Sequence, residues 1–199
     1  MRDDEQVTGT ATADTEFGMT RGKVFPASKA SSLLNPARRM VQSPTRLAAR
    51  LGVASGSRVL ELGCGPGYFS PSLAAVVPAG TLILADVQAD MLVLARGRVE
   101  AHPNVRFVQA DATRLPLESA TFDAVVIVLM LGEVPNRNAC VAECRRVLRP
   151  SGVAFFAETR RDGDFIKRTE LRNLVEPHGF ALDEFRGWSW EYTARFRAG

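Results

Sequence analysis

Short apolar runs alternate with segments of helical periodicity along most of the chain. Seven runs are typical of β-strands, and they cover residues 58–62, 81–86, 105–108, 122–128, 153–157, 180–185 and 190–197. Four intervening segments predict helices over residues 69–77, 91–100, 137–148 and 165–176. This alternation predicts an α/β fold with a doubly wound, mostly parallel seven-stranded sheet. The last two strands have no helix between them, which indicates an antiparallel hairpin at the C-terminal edge.

The part that precedes the first strand has a different pattern. Residues 1–16 are rich in Thr, Ala and Asp without periodicity, so we expect disorder there. Residues 17–54 predict an N-terminal helical cap, with one helix near 28–34 that ends at Asn35-Pro36 and another that Ser43-Pro44 opens and Gly52 closes. This cap is interpreted as a lid over a ligand or a surface-docking element, and packing against the sheet edge is the alternative. Residues 55–199 form the main domain.

A glycine-rich turn follows the first strand, in the segment VLELGCGPGYFS. Gly63, Gly65 and Gly67 lack a Cβ atom, so a ligand can approach the backbone closely. The next helix offers unpaired N–H groups to an anion. Taken alone, the turn predicts an anionic or nucleotide-like ligand, or a tight turn with no ligand at all. Cys64 lies between two of the glycines, where we expect its backbone to matter more than its sulfur.

Two carboxylates stand at the ends of the next two strands. Asp86 lies about twenty residues after the glycine turn, the distance at which a carboxylate accepts hydrogen bonds from ribose hydroxyls. Asp111, one strand further out, is placed to accept from the amine of an adenine, and the Ala112 N–H to donate to a ring nitrogen. A nicotinamide dinucleotide would need a second set of nucleoside contacts. The spacing therefore favours a single adenosine-type ligand.

Composition limits the remaining possibilities. The net charge of +3 and the pI of about 9.0 are too mild to predict nucleic-acid binding. Eight Lys and Arg residues lie between Glu16 and Glu61 with no acid among them, which indicates either a surface for anions or a solvated face. Three cysteines without a pairing pattern, no N-terminal apolar segment and no apolar run of membrane length predict a cytoplasmic protein without a metal site.

The combination of motifs identifies a family. The segments VLELGCGPGYFS, LILADVQADML, FVQADATRLPLESATFDAVVIV and RRVLRPSGVAFFAET resemble the successive motifs of class I S-adenosylmethionine-dependent methyltransferases, especially the branch of the ubiquinone/menaquinone pathway. The stretches FPASKASSLLNPARRMVQSP, LMLGEVPN and WSWEYTARF also resemble a group of small bacterial methyltransferase-domain proteins. The resemblance implies a Rossmann-like methyltransferase fold, S-adenosylmethionine as cofactor and methyl transfer as the activity.

The same resemblance implies roles for individual residues. It assigns the methionine moiety to Glu61 and the glycine turn, the ribose to Asp86, the adenine to Asp111 with Ala112, and the walls of the pocket to Val87 and Leu129. The sequence departs from the family pattern at Pro150-Ser151-Gly152 for Pro-Gly-Gly, at Gln88 for Ser, and at Glu133, where many relatives carry a His.

The chemistry expected of such a site is mainly positioning, because a sulfonium methyl is already activated. Glu133 is the candidate general base or amine-steering group, with helix capping near Asn136 as the alternative. Glu158, at the end of the fifth predicted strand, is a second candidate, and helix capping is again the alternative. Tyr192, Trp188 and Trp190 could wall an acceptor pocket, or belong to the core.

The acceptor is the least constrained part of the reaction. A small-molecule or a lipid-like acceptor is compatible with the residues, and the basic N-terminal stretch could make a weak contact with an anionic membrane surface. Two competing functions are an NAD-type dinucleotide oxidoreductase, for which the turn lacks the G-x-G-x-x-G spacing, and a non-catalytic cofactor-binding partner subunit. The oligomeric state stays open.

Overall fold

The computed structural model describes residues 25–34, 43–161 and 163–199. The disorder expected for residues 1–16 and the helical turn expected after Asn35-Pro36 lie outside these ranges.

The described residues form an α/β domain. Its strands are β1 (Arg58–Leu62), β2 (Thr81–Asp86), β3 (Val105–Gln109), β4 (Phe122–Val128), β5 (Leu148–Thr159), β6 (Phe180–Trp188) and β7 (Glu191–Ala198). Its α-helices are α1 (Ala30–Leu33), α2 (Pro44–Leu51), α3 (Ser70–Val76), α4 (Ala89–Arg98), α5 (Arg137–Val147) and α6 (Arg168–Val175). Short 3-10 turns cover Ala27–Lys29, Leu131–Glu133 and Glu176–His178.

The seven strands form one sheet in the order β3-β2-β1-β4-β5-β7-β6. Strands β1 to β5 are parallel, whereas β7 is antiparallel to both β5 and β6. The predicted doubly wound sheet and its C-terminal hairpin are therefore confirmed. The strand order changes side between β1 and β4: β2 and β3 follow on one side of β1, and β4 and β5 lie on the other. A sheet of this kind binds ligands at the carboxyl ends of the strands near that point.

Both faces of the sheet are buried, which explains the continuous apolar strands. Val59 and Val126 pack into a core with helices α2, α3 and α4. Leu60 and Phe156 point to the other core, with helices α5 and α6. Cys140 and Cys144 lie fully buried in that second core. No helix within the described ranges combines the length and apolarity that crossing a bilayer requires.

The caps of α2 are those expected from the sequence. The Ser43 hydroxyl accepts a hydrogen bond from the Arg46 N–H at 3.4 Å, and Pro44 occupies the first turn. Gly52 ends the helix in the left-handed conformation, with φ of 67°.

Several boundaries differ from the prediction by a few residues, and two of these differences have a tertiary cause. Strand β5 begins at Leu148 because this residue pairs with Phe122 of β4, although Pro150-Ser151-Gly152 has the composition of a turn. Helix α6 begins at Arg168, later than expected, because Ile166 is held against the sheet. Its N–H donates to Glu158 Oε2 at 3.3 Å and its carbonyl accepts from the Tyr192 hydroxyl at 2.7 Å.

Candidate functional site

The glycine turn is fixed to the end of the neighbouring strand. The backbone N–H groups of Gly63 and Cys64 donate to the Ala85 carbonyl at 2.8 and 3.1 Å. Burial raises the pKa of the Cys64 thiol, and this favours its neutral form. Cys64 therefore contributes its backbone to the turn, in line with the expectation from its position between two glycines.

Gly65 and Gly67 have different surroundings. A Cβ atom on Gly67 would lie 2.9 Å from the Ala95 Cα of α4, so this glycine lets the turn pack against the helix. A Cβ atom on Gly65 would have one described neighbour within 4 Å, Leu33 Cδ1 at 3.9 Å. Both glycines have positive φ, 52° for Gly65 and 78° for Gly67. The bare backbone at Gly65 therefore faces space that a ligand could use.

Glu61 is a buried carboxyl group beneath the turn. It lies on β1, is 2% exposed, and accepts a hydrogen bond from the hydroxyl of Ser70 at 2.6 Å. Burial raises the pKa of Glu61 from 4.5 to about 8; the Ser70 hydrogen bond opposes this rise and the nearby Asp86 charge adds to it. At neutral pH the protonated form therefore dominates, and a cationic ligand nearby would favour ionisation.

Asp86 lies at the carboxyl end of β2, next to the turn. One carboxylate oxygen accepts from the Gly65 N–H at 2.8 Å and the other from the Gln88 N–H at 2.9 Å. The residue is 7% exposed, and burial raises its pKa despite these backbone hydrogen bonds. A carboxylate offers about four lone-pair sites, so capacity remains for two hydroxyl donors.

The next strand end carries Asp111. Its Oδ1 atom accepts from both the N–H and the hydroxyl of Thr113, each at 2.8 Å, while Oδ2 accepts no hydrogen bond from the described residues. Ala112 is half-buried against the core. Val87 is exposed, and its carbonyl accepts from the Gln109 side chain at 3.1 Å. These residues lie on the β2–β3 side of the glycine turn, where the sequence predicted them.

The other side of the turn is formed by the end of β4. Leu129 has a positive φ of 53°, a conformation that costs energy for a side chain with a Cβ atom. Its N–H donates to the Ala157 carbonyl of β5 at 3.0 Å. Met130 follows, and a Cβ atom on Gly63 would lie 2.2 Å from Met130 Cγ. Met130 is a contact that the sequence did not reveal.

A segment from the N-terminal region crosses this site. We name residues 25–34 the cap segment. The Phe25 N–H donates to Glu133 Oε2 at 2.9 Å, and the Phe25 carbonyl accepts from Gln88 Nε2 at 2.8 Å. Gln88 follows β2 and Glu133 follows β4, so the Phe25 peptide links the two strand ends that flank β1.

Glu133 does not cap the following helix. The Asn136 side chain does so, because it accepts from the Ala139 N–H at 3.1 Å. The capping alternative for Glu133 is therefore wrong, and its carboxylate contacts the cap segment instead. Glu158 is buried and accepts from the Ile166 N–H.

The aromatic residues of the C-terminal hairpin divide into two groups. Tyr192 is buried in the core, where burial raises the pKa of its hydroxyl. Trp188 and Trp190 are exposed, and together with Tyr192 they line a pocket at the hairpin. Within the described residues, no three His, Cys, Asp or Glu side chains are grouped so that they could hold a metal ion.

Comparison with known proteins gives a consistent picture. A family profile described as "Methyltransferase domain" matches residues 59–152. The ubiquinone/menaquinone biosynthesis C-methyltransferase of Pseudomonas paraeruginosa is 38% identical over 135 residues, which cover 66% of this chain and 51% of that protein. The chain thus spans about half the length of the curated relatives it matches.

Solved structures share the fold at low sequence identity. The crystal structure of a SAM-dependent methyltransferase from Aquifex aeolicus has a TM-score of 0.82 and 20% identity, and the match covers 88% of this chain and all of that one (100%). The trans-methyltransferase CalH, in a complex with SAH, has a TM-score of 0.66 and 18% identity over 78% of this chain and 54% of its own.

Proposed function

Residues 59–152 belong to the class I S-adenosylmethionine-dependent methyltransferases, and from this premise we propose that the chain transfers a methyl group from S-adenosylmethionine to a small-molecule acceptor. S-adenosylmethionine is the cofactor of this family, as the sequence predicted. The proposal rests above all on one observation: an open glycine backbone and two buried carboxyl groups converge on the ends of β1 and β2.

These residues fit the cofactor. We propose that Asp86 accepts the ribose hydroxyls, because both of its oxygens retain lone pairs. Glu61 and the turn would hold the methionine moiety, whose positive charges suit a buried carboxylate. Asp111 and Ala112 would contact the adenine, between walls formed by Val87 and Leu129.

When bound, the cofactor supplies a methyl group that a sulfonium has already activated. The chain then has to orient the partners and exclude water, and good positioning alone lowers a barrier by roughly 7–11 kcal/mol. The cap segment would serve this purpose, since Phe25 spans the ends of β2 and β4. The cap segment is part of the N-terminal helical cap that the sequence predicts over residues 17–54, and we propose the same covering role for that cap.

We retain Glu133 as the proposed general base or amine-steering group, although its carboxylate also holds the cap segment. Its Oε2 atom already accepts the Phe25 N–H, so one lone pair serves the cap segment. The carboxylate lies after the end of β4, where it could accept a proton from an acceptor beside the cofactor. Glu158 is the weaker candidate, because it is buried and hydrogen-bonded to the Ile166 N–H.

The names of the relatives suggest carbon as the accepting atom, and this extends to the chain only as a proposal. A lipid-like acceptor is compatible with the basic stretch between Glu16 and Glu61, which could contact an anionic membrane weakly; the structure describes Lys29, Arg46, Arg50 and Arg58 of this stretch. Flotation with anionic vesicles at low salt tests this contact, and failure to float would exclude it. The three unpaired cysteines support a proposed cytoplasmic location.

Calorimetry tests the proposed function. S-adenosylmethionine and S-adenosylhomocysteine should bind, and NAD should not. Asp86→Ala should weaken binding about 10- to 100-fold, since about 1–3 kcal/mol is lost when buried hydroxyls become unpaired. Asp90→Ala, which removes an equal charge from the exposed first turn of α4, is the matched control. Preferential binding of NAD would refute the proposal, and cofactor binding without any methylated acceptor would favour a partner subunit.

A further inference from the structure

A second pocket opens at the same edge of the sheet, beside the candidate cofactor site. Its volume is about 380 Å³, within the range of small-molecule sites. It is lined by α2, by the carboxyl end of β5 and by the β6–β7 hairpin. The Leu129 N–H donates to the Ala157 carbonyl, and Ala157 lines this pocket. The pocket therefore begins one strand away from the residue proposed to contact the cofactor.

Four arginines line the pocket. Arg50 is restrained by a hydrogen bond to the Thr193 hydroxyl at 3.4 Å, and Arg186 forms a salt bridge with Glu184 at 2.6 Å. Arg46 and Arg161 form no salt bridge with any residue that the structure describes. Guanidinium groups present a planar fork of donors that fits a carboxylate or phosphate.

Two acids also line the pocket but do not cancel this charge. Glu158 is buried and accepts from the Ile166 N–H. Burial raises the pKa of Glu191, while the charges of Arg50 and Arg161 act in the opposite direction. Arg186 is already paired with Glu184, so three guanidinium groups remain against two carboxyl groups, and this excess of positive charge favours anions.

The two tryptophans of the pocket are exposed, and backbone contacts restrain the β6–β7 hairpin that carries them. Trp188 is 71% exposed and Trp190 47% exposed, although large apolar side chains usually avoid water. The Trp190 carbonyl accepts from the Arg160 N–H at 2.8 Å. Gly187 has a φ of 119°, and a Cβ atom there would lie 2.4 Å from the Glu191 carbonyl oxygen. Flat indole faces on such a hairpin are suited to stacking on a planar ring.

From this combination we propose that the pocket is the acceptor site, and that the acceptor is a planar aromatic molecule with an anionic group. The ring would stack on Trp188 or Trp190, and the anion would pair with Arg46 and Arg161. The acceptor role rests on the proposed methyl transfer, whereas the binding preference follows from the pocket alone.

Tryptophan fluorescence can test the binding preference directly. The chain contains only two tryptophans, and both line this pocket, so quenching reports on it specifically. Benzoate, benzamide and benzamidine have almost the same shape and carry a negative, zero and positive charge. We expect benzoate to bind about tenfold more tightly than benzamide, the difference typical of a charge-assisted hydrogen bond, and benzamidine to bind most weakly.

Variants locate the binding. Arg46→Gln combined with Arg161→Gln should weaken benzoate binding about tenfold and leave benzamide binding unchanged. Arg172→Gln, an exposed arginine on α6 outside the pocket, is the control and should change neither. Inorganic phosphate should compete less well than benzoate, because it has no ring to stack.

Each other outcome overturns the proposal. Equal binding of the three probes, preference for benzamidine, no quenching by benzoate, or insensitivity to the two arginine substitutions would each do so. Calorimetry with S-adenosylmethionine on the same samples separates this inference from the proposed function. Cofactor binding without benzoate binding rejects only the pocket assignment, and benzoate binding without cofactor binding rejects methyl transfer.

Discussion

The buried carboxyl group of Glu61 should make the stability of the free protein depend on pH. Its pKa is raised from 4.5 to about 8, chiefly by burial. The folded state therefore binds the proton more tightly than the unfolded state. The associated stability is fully present below about pH 4.5 and is lost as pH rises through about 8.

The size of this effect follows from the pKa displacement. A rise of this extent lowers the free energy of unfolding by on the order of 5 kcal/mol between the acidic and the basic end of the pH window. Glutamine is neutral, has nearly the same shape and can accept the Ser70 hydrogen bond through its amide oxygen. Glu61→Gln should therefore change stability little near pH 5 and increase the free energy of unfolding by a few kcal/mol near pH 9.

Urea unfolding, followed by circular dichroism at several pH values, measures this difference. Glu100→Gln, at an exposed position after α4, is the control and should follow the wild type. If the Glu61→Gln and wild-type profiles stay parallel between about pH 5 and about pH 9, the burial argument is wrong.

The same ionisation should be visible when the cofactor binds. If a sulfonium and an ammonium group lie near Glu61, binding near pH 7 should release up to about one proton in the wild type and none in Glu61→Gln. Calorimetry in buffers with different heats of ionisation counts these protons. Equal proton release in both proteins would place the methionine moiety away from Glu61.

Three further predictions concern the packing of the site. Gly67→Ala should destabilise the fold by at least about 2 kcal/mol in urea unfolding, because its Cβ atom would clash with Ala95 and because residue 67 has a positive φ. Asn136→Ala should cost about 1 kcal/mol through loss of the helix cap, whereas Glu133→Ala should leave the helix intact and speed amide exchange in the cap segment. Tyr192→Phe should cost about 1–3 kcal/mol, since a buried carbonyl loses its donor.

Matched variants distinguish these effects from general damage. Gly97→Ala makes the same change at a helical position where a Cβ atom meets no described neighbour within 4 Å, so it should be neutral or slightly stabilising. Equal stability of Gly67→Ala and Gly97→Ala would contradict the packing argument. Slow amide exchange retained at Phe25 in Glu133→Ala would contradict the contact between Glu133 and the cap segment.

Local chemistry made much of this fold predictable. Ser43 and Gly52 mark the ends of α2 because capping and left-handed termination depend on residues within one turn. The position of Asp86 at the end of β2 was also predictable, because the continuous apolar strand ends there. Each of these features depends on neighbours along the chain.

The features that could not be predicted depend on distant contacts. Phe25 and Glu133 are 108 residues apart, and nothing near either residue indicates that they meet. The early start of β5 depends on pairing between Leu148 and Phe122 across an irregularity in the ladder. The Ser70 hydroxyl could have been suspected as the partner of Glu61, because it begins the helix that follows the turn.

The two backbone hydrogen bonds of Phe25 have a consequence for how bound molecules leave the site. They connect the ends of β2 and β4 through the backbone of Phe25. The hairpin that carries the two tryptophans lies beyond β5, outside the pair of strand ends that this peptide spans. We therefore expect a molecule at the hairpin to exchange without breaking these two hydrogen bonds, whereas a nucleoside that passes between the ends of β2 and β4 would have to break them.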